Sequence, residues 1–216
     1  YKDANPFMYE FGYGLNGGGT TPVGGNLFFG SNAGNFTMGS TATTGDQASR
    51  NIGIGNNALQ NLTTGFANVA IGYGNATAIT TGSYNNFIGF GSAVSMQSGS
   101  ANTAFGFGSL YSSTNGSDNI ALGSWSLGAL TSGGTNVAIG PHSGRWIADG
   151  VTTLTTVSNS VFIGYGAKAL ANSSSNEIVI GTNAIGSGSN SITLGNTSSS
   201  KTILYGNIGI GTTTPG

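Results

Sequence analysis

The sequence predicts an all-β chain wound as a parallel β-roll, or β-solenoid, and two observations carry that prediction. A five-residue motif returns every 17 residues: Asn51-Ile52-Gly53-Ile54-Gly55, Asn68-Val69-Ala70-Ile71-Gly72, Asn85-Asn86-Phe87-Ile88-Gly89, Asn102-Thr103-Ala104-Phe105-Gly106, Asn119-Ile120-Ala121-Leu122-Gly123 and Asn136-Val137-Ala138-Ile139-Gly140. A second column, Gly65, Gly82, Gly99, Gly116, Gly133 and Gly150, keeps the same spacing independently. A fixed period of this length marks stacked repeats, in which no unit buries its own apolar face and its neighbours complete the core.

Each part of the motif has a physical reading. Val69 and Ile71 fall on one face and Ala70 on the other, the period-two pattern of a strand. The Gly that follows (Gly55, Gly72, Gly89, Gly106, Gly123, Gly140) supplies the positive-φ corner that bulkier residues resist. The second Gly column is expected to turn the opposite corner. Two mostly apolar columns, Leu59/Ala76/Ala93/Leu110/Leu127 and Leu62/Ile79/Met96/Leu130/Ile147 with Ser113 as an exception, are expected to line a second strand. The Asn column (Asn51, Asn68, Asn85, Asn102, Asn119, Asn136) predicts a ladder in which each amide bonds the next rung, as in cross-β stacks. The face carrying Gly53, Ala70, Ala104, Ala121 and Ala138 is small, so something packs close against it: the other strand of the rung, or neighbouring chains. A thin roll has a small core, and association of chains would bury its second apolar surface.

Toward the ends the period loosens. Phe29-Gly30 reads as an early rung and Met38-Gly39 as another. After Gly140 the motif returns at Ile163-Gly164, a step of 24 whose extra residues are expected to loop out within Arg145–Val157, then at Ile180-Gly181, Leu194-Gly195 and Ile210-Gly211. Roughly eleven rungs stacked at the ~4.8 Å strand spacing make an object about 50 Å long. The chain divides into an aromatic segment over 1–22 (Tyr1, Phe7, Tyr9, Phe11, Tyr13), the repeat domain over 23–211 and a tail over 212–216. The first segment is expected either to cap the stack or to dock into the next subunit of a filament. Its opening Tyr-Lys-Asp-Ala-Asn-Pro has no initiator Met and no signal-peptide features, the mark of a processed form or a fragment.

Composition narrows function. The 216 residues include 40 Gly, no Cys and 5% charged residues, with a net charge of −1. Five cations cannot form a phosphate track, which argues against nucleic acid and anionic membranes as partners. Without Cys there are no disulfides or thiolate metal sites, and no run is long enough to insert in a membrane as a helix. His142 is the only histidine; it neighbours Ser143, but no carboxylate motif orients it as a catalytic base, so it reads as a turn residue. The acids Asp3, Glu10, Asp46, Asp118, Asp149 and Glu177 show no repeated pairing of the kind glycosidases need, and the glycine-aspartate repeat of calcium-binding rolls is absent. No enzyme activity, cofactor or metal is expected. Asp46/Arg50 and Arg145/Asp149, each four apart, read as solvated loop contacts. Six Asn-x-Ser/Thr sequons, at Asn35, Asn61, Asn75, Asn115, Asn172 and Asn196, match the number that so much Asn, Ser and Thr produces by chance.

The sharper surface feature is aromatic. Tyr73, Phe90 and Phe107 share one repeat position, directly after the strand Gly; Tyr165 matches it and Trp125 lies one residue further along its rung. Stacked on adjacent rungs, these rings form a ladder that either braces the corner or offers a platform to a glycan or partner. Trp146 falls in the long insertion, where a loop tip can carry recognition.

The Asn-Val-Ala-Ile-Gly rungs and the shorter Asn190-Ser191-Ile192-Thr193-Leu194-Gly195 form resemble the head repeats of trimeric autotransporter adhesins over roughly residues 24–211. That resemblance implies a left-handed roll and a homotrimer, intertwined or side by side. The longer unit, with Thr-Thr-Gly or Ser-Gly-Ser at its corner, is similar to phage tail-fibre repeats. The ending Gly206-Asn207-Ile208-Gly209-Ile210-Gly211 is similar to the segment preceding an endosialidase-type chaperone domain in such fibres. The expected function is therefore a structural fibre segment of a receptor-binding or adhesive protein, extracellular, on a virion tail fibre or a bacterial surface, with itself and a cell-surface glycan or protein as partners. The alternatives are a self-polymerising extracellular filament subunit and, less favoured, a glycan-degrading tailspike.

Overall fold

The computed structural model describes residues 8–11, 22–35, 37–199, 201 and 203. Its strands are β1 (Met8–Phe11), β2 (Asn26–Phe29), β3 (Ile52–Ile54), β4 (Val69–Ile71), β5 (Asn86–Ile88), β6 (Thr103–Phe105), β7 (Ile120–Leu122), β8 (Val137–Ile139), β9 (Val157–Ser158), β10 (Val161–Ile163), β11 (Ser174–Ser175), β12 (Glu177–Ile180) and β13 (Ser191–Leu194). Among the described residues there is no helix. The chain is a β-solenoid of about eight turns with a spacing near 17 residues. One 11-stranded sheet runs in the order β1-β2-β3-β4-β5-β6-β7-β8-β10-β12-β13. From β2 onward every pairing is parallel and in register: Ile54 with Ile71, Ile71 with Ile88, Ile88 with Phe105. β1 is the exception. It lies antiparallel on β2, Met8 opposite Phe29, and covers the edge that β2 would otherwise present.

The strand is short because the corner Gly ends it. Gly72 has φ +137°, and a Cβ there would collide with the Gly89 carbonyl of the next rung. The rungs thus touch backbone to backbone at the corner, and Gly alone has the shape for it. The middle strand residue points inward. Ala70, Phe87, Ala104, Ala121, Ala138 and Phe162 are buried, with Leu59, Leu62, Ile79, Met96 and Leu110 packed in the same core. Large and small residues compensate along the axis: Phe87 sits between Ala70 and Ala104, and the Phe28 ring fills the space a Cβ on Gly53 would need, 2.8 Å away. The small face is therefore covered by the rung's own far side.

That far side is not the second strand the sequence predicts. Leu59, Ala76, Ala93, Leu110 and Leu127 are buried as expected but have φ between +47° and +54°. A left-handed residue in every turn cannot extend, so the side is a stack of turns bonded rung to rung, as in Ala76 N–H to Ser92 O at 2.9 Å. The exception is the short sheet of β9 and β11.

Irregular rungs keep the strand register and vary the turn. The step from β2 to β3 is 25 residues, from β8 to β10 24, from β10 to β12 17 and from β12 to β13 14. Met38-Gly39 is accordingly no rung: it lies in the long turn of the first one, Met38 reaching the core and Gly39 N–H bonding Thr63 O at 2.7 Å. The insertion does fall after Arg145, and it displaces two expected column members. Thr131 N–H bonds Thr155 O at 2.9 Å, so buried Leu154, not Ile147, continues the Leu130 column. A Cβ on Gly133 would meet the Val157 carbonyl, so Val157 continues the Gly column and Gly150 belongs to the insertion. Ile210-Gly211 and most of the first 22 residues lie outside the described residues.

Candidate functional site

The Asn and Gly columns are structural. Asn68 donates from Nδ2 to Asn51 Oδ1 at 3.1 Å and to Gly82 O at 2.9 Å, while its backbone N–H donates to the same Asn51 Oδ1 at 3.0 Å. The pattern repeats through Asn136. It begins one rung earlier than the regular period shows, at Asn26. Beyond Asn136 the column changes chemistry: Ser160 N–H donates to Asn136 Oδ1, and Glu177 N–H to Ser160 Oγ. Glu177 is fully buried; its Oε1 accepts from Gly188 N–H at 2.8 Å and Leu170 N–H at 3.3 Å, and its Oε2 has no partner. Asn75 is also buried, its Nδ2 bonded to three carbonyls, so that sequon is closed to modification.

The residue after each corner Gly projects from the stack. Tyr73, Phe90 and Phe107 are each about half exposed, at 53%, 56% and 47%. Tyr73 stacks on Phe90 at 5.2 Å between centroids, Phe90 meets Phe107 at 5.6 Å, and Phe107 meets the edge of Trp125 at 5.4 Å. The separations follow the rung spacing, so the ladder is set by the sheet. Trp125 joins from the next position, where Gly74, Gly91 and Gly108 stand on other rungs; all four have a left-handed φ, +57° at Trp125. Its indole lies over Gly108, 3.0 Å from where a Cβ would be. Tyr111, which the column pattern does not reveal, leans on Trp125 from further along its rung at 5.4 Å. Phe90, Gly91, Phe107, Gly108, Tyr111 and Trp125 enclose a cup of about 310 Å³.

The insertion adds the polar edge. Trp146 and Thr153 bridge as a minimal antiparallel pair, and Asp149 turns the loop by accepting from Val151 N–H at 2.9 Å and from Thr152 N–H at 2.8 Å. Those hydrogen bonds, the Thr152 hydroxyl first, hold the Asp149 carboxyl below its usual 3.8. Asp149 therefore serves its own turn, and Arg145 is not its partner. Among the described residues the ion pair is Arg50 with Asp46, 2.8 Å and exposed. The Arg145 guanidinium instead lies between two indoles, 4.5 Å from Trp125 and 4.8 Å from Trp146. Its NH1 donates to His142 Nδ1 at 3.0 Å. An arginine cannot accept, so Nδ1 is the unprotonated nitrogen. Burial first, and the Arg145 charge second, lower the His142 pKa from its usual 6.5. His142 also stacks on Trp146 at 5.1 Å and meets Tyr165 edge-on at 5.8 Å.

The corner thus gathers all of Tyr73, Phe90, Phe107, Trp125, Trp146 and Tyr165. Tyr165 joins through His142, because Ser124 and Pro141 interrupt its own column. No protein-family model, curated protein or solved structure matches this chain. The assembled groups offer an apolar cup with the Arg145 cation beside it. Among the described residues no three His, Cys, Asp or Glu side chains converge as a metal site.

A second surface is the outer face of the main sheet. Ile88, Phe105, Ile120, Ile139, Ile180 and Ile192 are 37–68% exposed. With partly exposed Ile54, Ile71 and Leu122 they form an uncharged apolar stripe along the stack.

Proposed function

We propose that this chain is a structural fibre segment of a receptor-binding or adhesive surface protein, assembled from copies of itself as a homotrimer through the outer sheet face. The observation that carries the reading is the stripe through Ile71, Ile88, Phe105, Ile120 and Ile139, in which each rung adds exposed apolar residues to those of the last. Contiguous apolar patches beyond a few hundred Å² mark interaction surfaces. A surface that repeats along a rod suits a partner that repeats in the same register, and another copy is that partner. The antiparallel β1 on its own β2 fits a capping strand better than one offered to the next subunit of a filament. The extracellular setting and the trimer also draw on the adhesin-like rungs. The reading assigns the segment no catalysis.

Sedimentation equilibrium of the purified chain tests this. A trimer is expected, and the double variant Ile88→Glu/Ile139→Glu should shift it to monomer with its β circular dichroism retained. A stable folded monomer of the native chain overturns the assembly.

A further inference from the structure

We infer that the aromatic corner is a binding site for an acidic polysaccharide, with one sugar seated in the cup of Phe90, Phe107, Tyr111 and Trp125 and Arg145 taking a carboxylate. The inference deepens the fibre reading and rests on it.

Three observations lead here. Rings packed on one another at 5.2–5.6 Å along the axis form a continuous apolar ridge across neighbouring rungs, which suits an extended polymer better than a compact ligand. The cup of about 310 Å³ lies at the small end of the ~300–1,000 Å³ range of ligand pockets, with Gly91 leaving its floor clear and the Trp125 indole packed over Gly108.

The second observation is Trp125. On the three preceding rungs Gly occupies its place and on the next rung His142 does, all with a left-handed φ. The fold sets that conformation, and what Trp125 adds to it is a ring packed 3.0 Å from where a Cβ on Gly108 would stand. Here the indole walls the cup and carries Arg145.

The third is charge. Arg145 is fixed between two indoles, and Asp149, the acid closest in sequence, is engaged in its own turn. Only NH1 is directed at His142, so the fork geometry that matches a carboxylate remains available. A neutral glycan would leave this cation unanswered.

The chain's two Trp, Trp125 and Trp146, both lie in the site, so intrinsic fluorescence reports on it directly. The native trimer is titrated with polygalacturonate, hyaluronate and polysialic acid, and with methyl-esterified polygalacturonate as the uncharged control. Quenching by at least one acidic polymer is expected, with the ester about tenfold weaker or worse. Trp125→Gly restores the residue the repeat itself uses, and Arg145→Gln keeps the shape of the side chain's stem. Each should weaken binding about tenfold, read by calorimetry, with circular dichroism unchanged. Failure of all three polymers overturns the inference, as does equal binding of the ester, unchanged affinity in both variants, or a changed oligomeric state in Trp125→Gly, which would make the corner an interface between copies. Sedimentation of the same samples separates the readings: a trimer that binds none of the polymers loses this inference alone, whereas a monomer loses the fibre reading itself.

Discussion

An asparagine side chain carries two N–H donors and an acceptor oxygen, and each buried Asn of the column uses both kinds. Asn85 donates to Asn68 Oδ1 and Gly99 O, and its own oxygen takes two donors from Asn102. Asn85→Ala leaves those partners unsatisfied in a dry core, at ~1–3 kcal/mol for each orphaned group. We expect a loss of about 3 kcal/mol, measured by denaturant unfolding. The column was legible because it repeats; the Ser160 and Glu177 that extend it were not, because they keep the position and change the side chain. Nor was the Arg145–His142 pair, since only the fold brings the insertion back over the rings. That pair gives a pH signature. The folded chain holds the His142 proton less readily than the unfolded chain does, so stability is intact above the usual 6.5 and declines as pH falls below it. A proton NMR titration should place the imidazole midpoint below 6.5, and Arg145→Gln should raise it by removing the second cause.

One rung holds two kinds of glycine, and they predict opposite tolerances. A Cβ on Gly72 would strike the Gly89 carbonyl, whereas one on Gly74 meets nothing within 4 Å, with φ +62°. Gly74→Ala should cost about 1 kcal/mol, the left-handed penalty alone, while Gly72→Ala should cost about 4 kcal/mol or more, because backbone cannot move aside. Thermal melts of the two variants make the comparison. The strand side of each rung could be read from alternation and the Gly after it. The far side could not. Its apolar columns, Leu59 and Leu62 among them, are as regular as a strand's, and burial gives the same pattern whether a segment is extended or turned. The left-handed φ at Leu59, Ala76 and Ala93 leaves no mark in residue type, for Leu and Ala are not residues that favour it.

At the scale of the whole molecule, the rungs form a modular series. Since contacts run only between neighbours, stability is close to a sum of nearest-neighbour terms. Deleting Asn85–Ala101 removes one full period, joins Tyr84 to Asn102 and aligns β4 with β6. This variant should fold and melt cooperatively, while a deletion of half that length should not; circular dichroism on both checks it. The same in-register stacking has a mechanical side. The N–H···O bonds between strands lie along the long axis, so a pull on the two ends loads the rungs in series rather than sharing the force among them. A single chain gives way one rung at a time from its ends, like a zipper. In a fibre under tension, resistance therefore has to come from side-by-side copies that shear past one another, and the apolar stripe on the outer sheet is where such a lateral bond would be made.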